Sequence, residues 1–230
     1  PGSAEAPARD FGGLLGEIHT RPQPRDSRSP ASPRPPAVAG IVLAAGLSSR
    51  MGSNKLLAQI GGKPLIRRTV DAALASAASP ILVVTGSNGE EVRNALSGLA
   101  LQFVDNPEYS KGLSTSLKRG LNAVGDACDG AVILLGDMPD VTPALIDGLI
   151  AAFDPEEDRA ICVATRHGKR GNPVLWGNRF FSEIMAIEGD VGAKHLMAAN
   201  DELVCEVEAE DDGPLIDIDT PEALAAYRAR

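Results

Sequence analysis

An apolar run, Ile41-Val42-Leu43, passes directly into Ala44-Ala45-Gly46-Leu47-Ser48-Ser49-Arg50-Met51-Gly52-Ser53-Asn54-Lys55. In a loop of mostly small residues, backbone N–H groups can approach a ligand closely, and successive exposed amides form a concavity that binds anions. Arg50 and Lys55 add full positive charge beside it. The chemistry that suits this arrangement is phosphate capture. Its spacing is that of neither familiar glycine-rich loop. Gly46 and Gly52 stand too far apart for Gly-x-x-x-x-Gly-Lys-Ser/Thr, and Gly-x-Gly-x-x-Gly is absent. The plainer alternative is an ordinary strand-to-helix loop with both cations solvated.

A second candidate is Leu134-Leu135-Gly136-Asp137-Met138-Pro139-Asp140, which sets a carboxylate just past a buried apolar run. Mg²⁺ prefers one or two carboxylates together with phosphate oxygens, so Asp137 beside a triphosphate would suit it. A turn cap at Asp137 and a solvated Asp140 are the alternatives. Asp217-Ile218-Asp219-Thr220-Pro221-Glu222 places two carboxylates at i and i+2, on one side of an extended segment. Either could be the second metal carboxylate. Asp217 is favoured for the metal, leaving Asp219 or Thr220 to cap the helix that Pro221 begins. In Gly112-Leu113-Ser114-Thr115-Ser116, the small hydroxyl residues at a helix start serve equally well as caps.

These groups need a scaffold, and from residue 38 onward the pattern alternates strand and helix. Largely apolar runs at 41–43, 81–85, 131–135, 161–165 and 173–176, with the mixed segments 101–106 and 203–207, predict strands, the first buried on both faces. Helical spacing predicts helices at 64–78, 90–99, 114–124, 143–153, 179–187, 191–200 and from 221. Thr142 before Pro143 is a helix start. Such alternation predicts an α/β fold with a mostly parallel sheet and helices on both faces. Open sheets of this kind bind ligands at the carboxyl ends of their strands, where Gly46 and Asp137 fall.

Composition narrows the function. In 230 residues, 22 basic against 31 acidic side chains leave a net charge of −9. An acidic chain gains nothing from counterion release, which argues against nucleic acid as a partner. Anionic ligands must then be held by a local basic pocket or a bound cation. Cys128, Cys162 and Cys205 are widely spaced, which argues against a disulfide framework or structural zinc and fits a reducing cytoplasm. No apolar stretch is long enough for a membrane span. Residues 1–37 carry Pro22, Pro24, Pro30, Pro33, Pro35 and Pro36 among Ser and Arg. They read as a disordered tail or as a linker from a preceding domain, with residues 38–230 as the folded domain.

Residues 43–55, Leu-Ala-Ala-Gly-x-Ser-x-Arg-Met-Gly-x-x-Lys, resemble the signature loop of the MobA-like NTP transferases that build molybdenum cofactor dinucleotides. The likeness extends over 38–230 and is strongest to the molybdenum cofactor cytidylyltransferases. It implies a three-layer α/β/α, Rossmann-like domain of the nucleotide-diphospho-sugar transferase type. The implied reaction joins CTP to molybdopterin, giving molybdopterin cytosine dinucleotide and pyrophosphate. Arg50, Lys55 and Asp137 would be catalytic, with Mg²⁺, or Mn²⁺, on Asp137 and Asp217. Leu43, Ala44, Ala45, Gly46, Ser48, Gly52, Lys55, Gly112, Ser114, Thr115 and Ser116 would lie along the nucleotide.

Ala44-Ala45 fits a cytidylyltransferase better than the Gly-Gly typical of the guanylyltransferases. On the acceptor side the resemblance points to Asn172, Pro173, Asp190, Gly192 and Lys194. Asn172 stands there for a His and Lys194 for an Arg, and lysine lacks the bidentate fork. His167 and His195 read as surface or packing residues, and Trp176 as core. The expected partners are small-molecule substrates, with an N-terminal domain or a molybdoenzyme as a macromolecular one. The rivals are transfer to another base or phosphorylated acceptor, and an idle nucleotide-binding module that presents cofactor.

Overall fold

The computed structural model describes residue 2 and residues 34–46, 54–188 and 193–229, with the fold lying in Pro35–Arg230. Strand β1 (Val38–Ala44) is buried along its whole length and starts three residues before the apolar triplet. Ala39 and Gly40 dilute the apolar signal, and at Gly40 a Cβ would lie 2.7 Å from Ile81 Cδ1, so a larger residue would push that side chain aside. A small hairpin follows, β2 (Gln59–Ile60) with β3 (Lys63–Pro64), turned by Gly61 and Gly62 at positive φ. The hairpin leads into helix α1 (Leu65–Leu74), which buries Leu65, Ile66, Thr69, Val70, Ala72 and Ala73. Each large apolar side chain so covered contributes about 1.5–3 kcal/mol. The helix ends earlier than predicted, where the Ser76 hydroxyl donates to the Ala73 carbonyl at 2.7 Å.

The remaining strands are β4 (Ile81–Thr85), β5 (Gln102–Asp105), β6 (Gly130–Leu135), β7 (Ile161–Arg166), β8 (Lys169–Gly177) and β9 (Val204–Glu208). Among the described residues they form with β1 a seven-stranded sheet ordered β5-β4-β1-β6-β8-β7-β9. Pairing is parallel from β5 through β6 and again between β7 and β9. Only β8 runs against its neighbours, β6 and β7. It is longer than the 173–176 run, because His167 and Gly168, both at positive φ, make the two-residue turn that folds β8 back on β7.

Helices cover both faces. On one side α1, α2 (Gly89–Ala95), α4 (Pro143–Ala152) and α7 (Pro221–Arg228) pack Ile66, Val92, Leu149 and Leu224 with Val42, Val83 and Leu134. On the other, α3 (Leu113–Val124), α5 (Phe181–Ala186) and α6 (Lys194–Ala199) pack Leu117, Ile184 and Met197 with Ile41, Leu82 and Ile133. Strand alternation sorts neighbouring residues to opposite cores, giving the three layers. Trp176 is core, edge-on to Phe180 at 5.7 Å between centroids. Thr142 caps α4, accepting from the Leu145 N–H at 3.2 Å. Among the described residues no helix is long and apolar enough to cross a membrane.

Candidate active site

Parallel register aligns the carboxyl ends of β4, β1 and β6: Leu43 pairs with both Val84 and Leu135. The turns after these strands therefore meet at one edge. They open onto a cleft of about 520 Å³ that includes Leu43, Ala44, Ala45, Gly46, Lys55 and Asp137 in its lining. Gly136 allows the meeting, since its N–H donates to the Leu43 carbonyl at 3.0 Å and a Cβ would sit 3.1 Å from that oxygen. Gly86 does the same after β4. A Cβ there would lie 2.6 Å from the Ala45 carbonyl oxygen and 2.9 Å from Tyr109 Cβ.

Lys55 enters from a 3-10 turn (Lys55–Leu57) that Asn54 caps, its Oδ1 accepting from the Leu56 N–H at 3.1 Å. The ammonium donates to Asp137 Oδ2 at 2.5 Å and also to Asp219. Lys55 and Asp137 side chains are each only 15% exposed. Burial works against the lysine charge, but Asp137 and Asp219 outweigh it and raise its pKa above the ordinary value. Asp217 lines the same cleft. Its carboxyl is pushed up, first by burial and then by the charges of Asp219 and Asp137. The cap question closes on Thr220, whose Oγ1 accepts from the Ala223 N–H at 3.1 Å and leaves Asp219 facing Lys55.

One polar atom in the cleft is out of balance. Asp137 Oδ1 is buried with no hydrogen-bond partner among the described residues. A buried carboxylate oxygen left unpaired is costly, and a cation is the partner that suits it. The donor set, hard oxygens on Asp137 with Asp217 and Asp219 beside them, fits Mg²⁺ or Mn²⁺. Among the described residues no trio of His, Cys, Asp or Glu is already gathered around one point. A metal held by one or two carboxylates and completed by phosphate oxygens needs no such trio.

The opposite wall comes from the segment entering α3. Asn106, 2% exposed, donates to Thr115 Oγ1 at 2.9 Å and Ser116 Oγ at 3.0 Å, and accepts from the Glu108 N–H at 3.0 Å. This staple presents Tyr109, Ser110, Lys111, Gly112, Leu113 and Ser116 to the cleft. Gly112 turns there at φ 110, a conformation other residues rarely adopt. Thr115 stays inside the loop, 2.8 Å from the Gly112 carbonyl and 3.1 Å from that of Glu108, and is not in the cleft lining. Ser114 likewise borders a separate groove along α3.

The structure thus brings together Leu43, Ala44, Ala45, Gly46, Lys55, Gly112, Ser116, Asp137 and Asp217 of the residues singled out from sequence. Ser48, Arg50, Gly52, Asp190 and Gly192 lie outside the described residues. Asn172 and Pro173 on β8, and Lys194 at the start of α6, do not line the cleft. Their neighbour Gly171 packs on Pro214, where a Cβ would meet the carbonyl oxygen at 2.2 Å. Tyr109, Ser110 and Lys111 were missed. Asn106-Pro107, a turn signal directly after a strand, was the available clue.

A family model described as the MobA-like NTP transferase domain matches residues 40–203. The purine catabolism protein PucB of Bacillus subtilis (strain 168) is 30% identical over 85% of this chain and 98% of its own length. The molybdenum cofactor cytidylyltransferase of Escherichia coli (strain K12) is 28% identical over 84% of this chain and 97% of its own. Among solved structures, Rv0371c of Mycobacterium tuberculosis H37Rv in complex with manganese superposes with a TM-score of 0.72 at 25% identity. That superposition covers 84% of this chain and 98% of the other.

Proposed function

The chain belongs to the MobA-like NTP transferase family, and from that premise we propose that it transfers the cytidylyl group of CTP to the phosphate of a molybdopterin cofactor. The observation that carries the reading is the trio of Lys55, Asp137 and Asp217 in one cleft with the small-residue turn Ala44–Gly46. An ammonium and two carboxylates, one with an unpaired buried oxygen, suit a metal-bound triphosphate and serve no purpose in an apolar pocket.

The acceptor phosphate is already an anion, so the attack on the α-phosphorus needs no covalent enzyme intermediate. An acceptor oxygen bonds to that phosphorus as its bond to the β-phosphate oxygen breaks, and pyrophosphate leaves. The protein's task is to hold two polyanions in line and offset the developing charge. Backbone at Ala45 and Gly46 cradles the phosphates, and Lys55 turns from its carboxylates to the departing pyrophosphate. In the free protein Asp137 and Asp219 hold it in the charged form against the cost of burial. Asp137 and Asp217 would hold the divalent cation, whose charge would offset that of the α-phosphate. Gly112 and Ser116 face the base. Losing one such charge costs on the order of 10²–10³ in rate.

The test is to offer the protein each of CTP, GTP, ATP and UTP with Mg²⁺ and molybdenum cofactor and to identify the product by mass. A cytosine dinucleotide supports the reading. A guanine dinucleotide would move the base assignment away from what Ala44 and Ala45 suggest. Nucleotide binding with no product from this acceptor would point to another phosphorylated acceptor or to an idle module.

A further inference from the structure

Helix α1 buries six residues against the sheet, and five of them are apolar. The sixth, Thr69, is 0% exposed. A threonine there is a poor helix former and must satisfy its hydroxyl or bear a desolvation cost. Its Oγ1 reaches out of the helix, donating to the Met138 carbonyl at 3.1 Å with the Gly136 carbonyl at 3.4 Å. Those two carbonyls bracket Asp137. The carbonyl of Asp137 itself accepts from the Ile218 N–H at 3.2 Å, and Arg68 Nε reaches the Pro139 carbonyl at 3.4 Å. Four consecutive carbonyls are therefore faced by donors, the single proton of the buried Thr69 hydroxyl going to Met138 with Gly136 in longer contact.

We infer that Thr69 is a positioning residue that sets the orientation of the Asp137 carboxylate toward the cation, through the backbone on either side of it. The inference rests on reading Asp137 as the metal carboxylate. Thr69 touches neither nucleotide nor metal. It acts because a ligand carboxylate is only as well aimed as the main chain that carries it, and residues of this kind commonly alter metal affinity or activity by about 10–100-fold. The Ile218 bond extends the clamp to the Asp217–Asp219 segment, so both carboxylate-bearing stretches share one backbone frame.

The experiment uses the full chain as wild type, Thr69→Val and Thr69→Ser, the first isosteric without a donor and the second keeping the hydroxyl. Mn²⁺ binding is read by electron paramagnetic resonance in the presence of α,β-methylene CTP, which cannot transfer. Thr69→Val is expected to weaken Mn²⁺ binding about tenfold, while Thr69→Ser stays within about twofold of wild type. In turnover, the Val variant should lose kcat with the acceptor KM unchanged. Thr69→Cys, which keeps the volume and offers only a weak donor, should fall between and serves if the Val variant does not fold. Wild-type metal affinity in Thr69→Val, or a Ser variant as defective as Val, would overturn the inference alone. A wild type that binds no Mn²⁺ with nucleotide would overturn the reading of the cleft and the inference with it.

Discussion

Replacing Lys55 with Met should make the protein bind a divalent cation more tightly in the absence of nucleotide, while lowering turnover. In the free protein the ammonium sits on Asp137 Oδ2 and on Asp219, where a metal would compete with it. Unit charges about 4 Å apart attract by about 4 kcal/mol at an effective dielectric of 20. Asp219 is 42% exposed, so its share is heavily screened, whereas the Lys55–Asp137 pair is mostly enclosed. Allowing for water that refills the gap, the metal should gain about 1.4–2.8 kcal/mol, or roughly 10–100-fold in affinity. The opposite change is expected for Mn·CTP turnover, which should fall by about 10²–10³. Calorimetric titration of Mn²⁺ into wild type and Lys55→Met, at low and at high salt, reads the first effect. Unchanged or weaker metal binding in the variant would refute the electrostatic reasoning, since it would mean that the lysine opposes nothing.

Asp217 has a raised pKa, so its contribution to stability is present below the ordinary carboxylate value and is lost as pH rises through the raised one. Asp217→Asn should therefore melt higher than wild type at pH 7, with the gap closing toward pH 4, while metal-supported turnover falls on the order of 10²–10³; thermal melts across that range decide the first effect. Gly86→Ala should cost about 1–3 kcal/mol, because the new methyl meets the Ala45 backbone and Tyr109 Cβ, and should weaken CTP binding in fluorescence titration. A variant with wild-type melting and affinity would show that the two walls can part freely. The Cys162 thiol, buried and pushed up to about 12, should react with a thiol reagent only at the rate of unfolding, behind half-buried Cys205; modification of Cys162 within seconds in the native state would contradict this.

Much of the fold was legible because β1, β4 and β6 are continuously apolar, a pattern that only a two-sided burial explains. Strand β8 was harder. Its first half, Lys169 to Asn172, is polar and partly exposed, so only Pro173 to Trp176 carries a strand signal. The turn at His167-Gly168 was the missed cue, since two residues at positive φ between strands enforce an antiparallel return. The carboxylates of the cleft could be read from spacing, but which of Asp219 and Thr220 caps α7 could not, because both residue types are favoured caps and stand side by side. Thr115 shows the same limit: a hydroxyl at a helix start is compatible with base contact and with loop closure, and only its neighbours decide. Gly86 and Thr69 left faint signals. A glycine after a strand is common, and a threonine carries no apolar signal of its own by which helical periodicity could mark it as buried.

Pyrophosphate release by wild type and Asp137→Asn side by side, from Mg·CTP with and without molybdenum cofactor, tests the central claim most directly. Wild type should release pyrophosphate only when cofactor is present, and the variant should be slower on the order of 10²–10³. Equal release by both proteins would contradict the assignment of the cleft as a metal-dependent nucleotidyl transfer site.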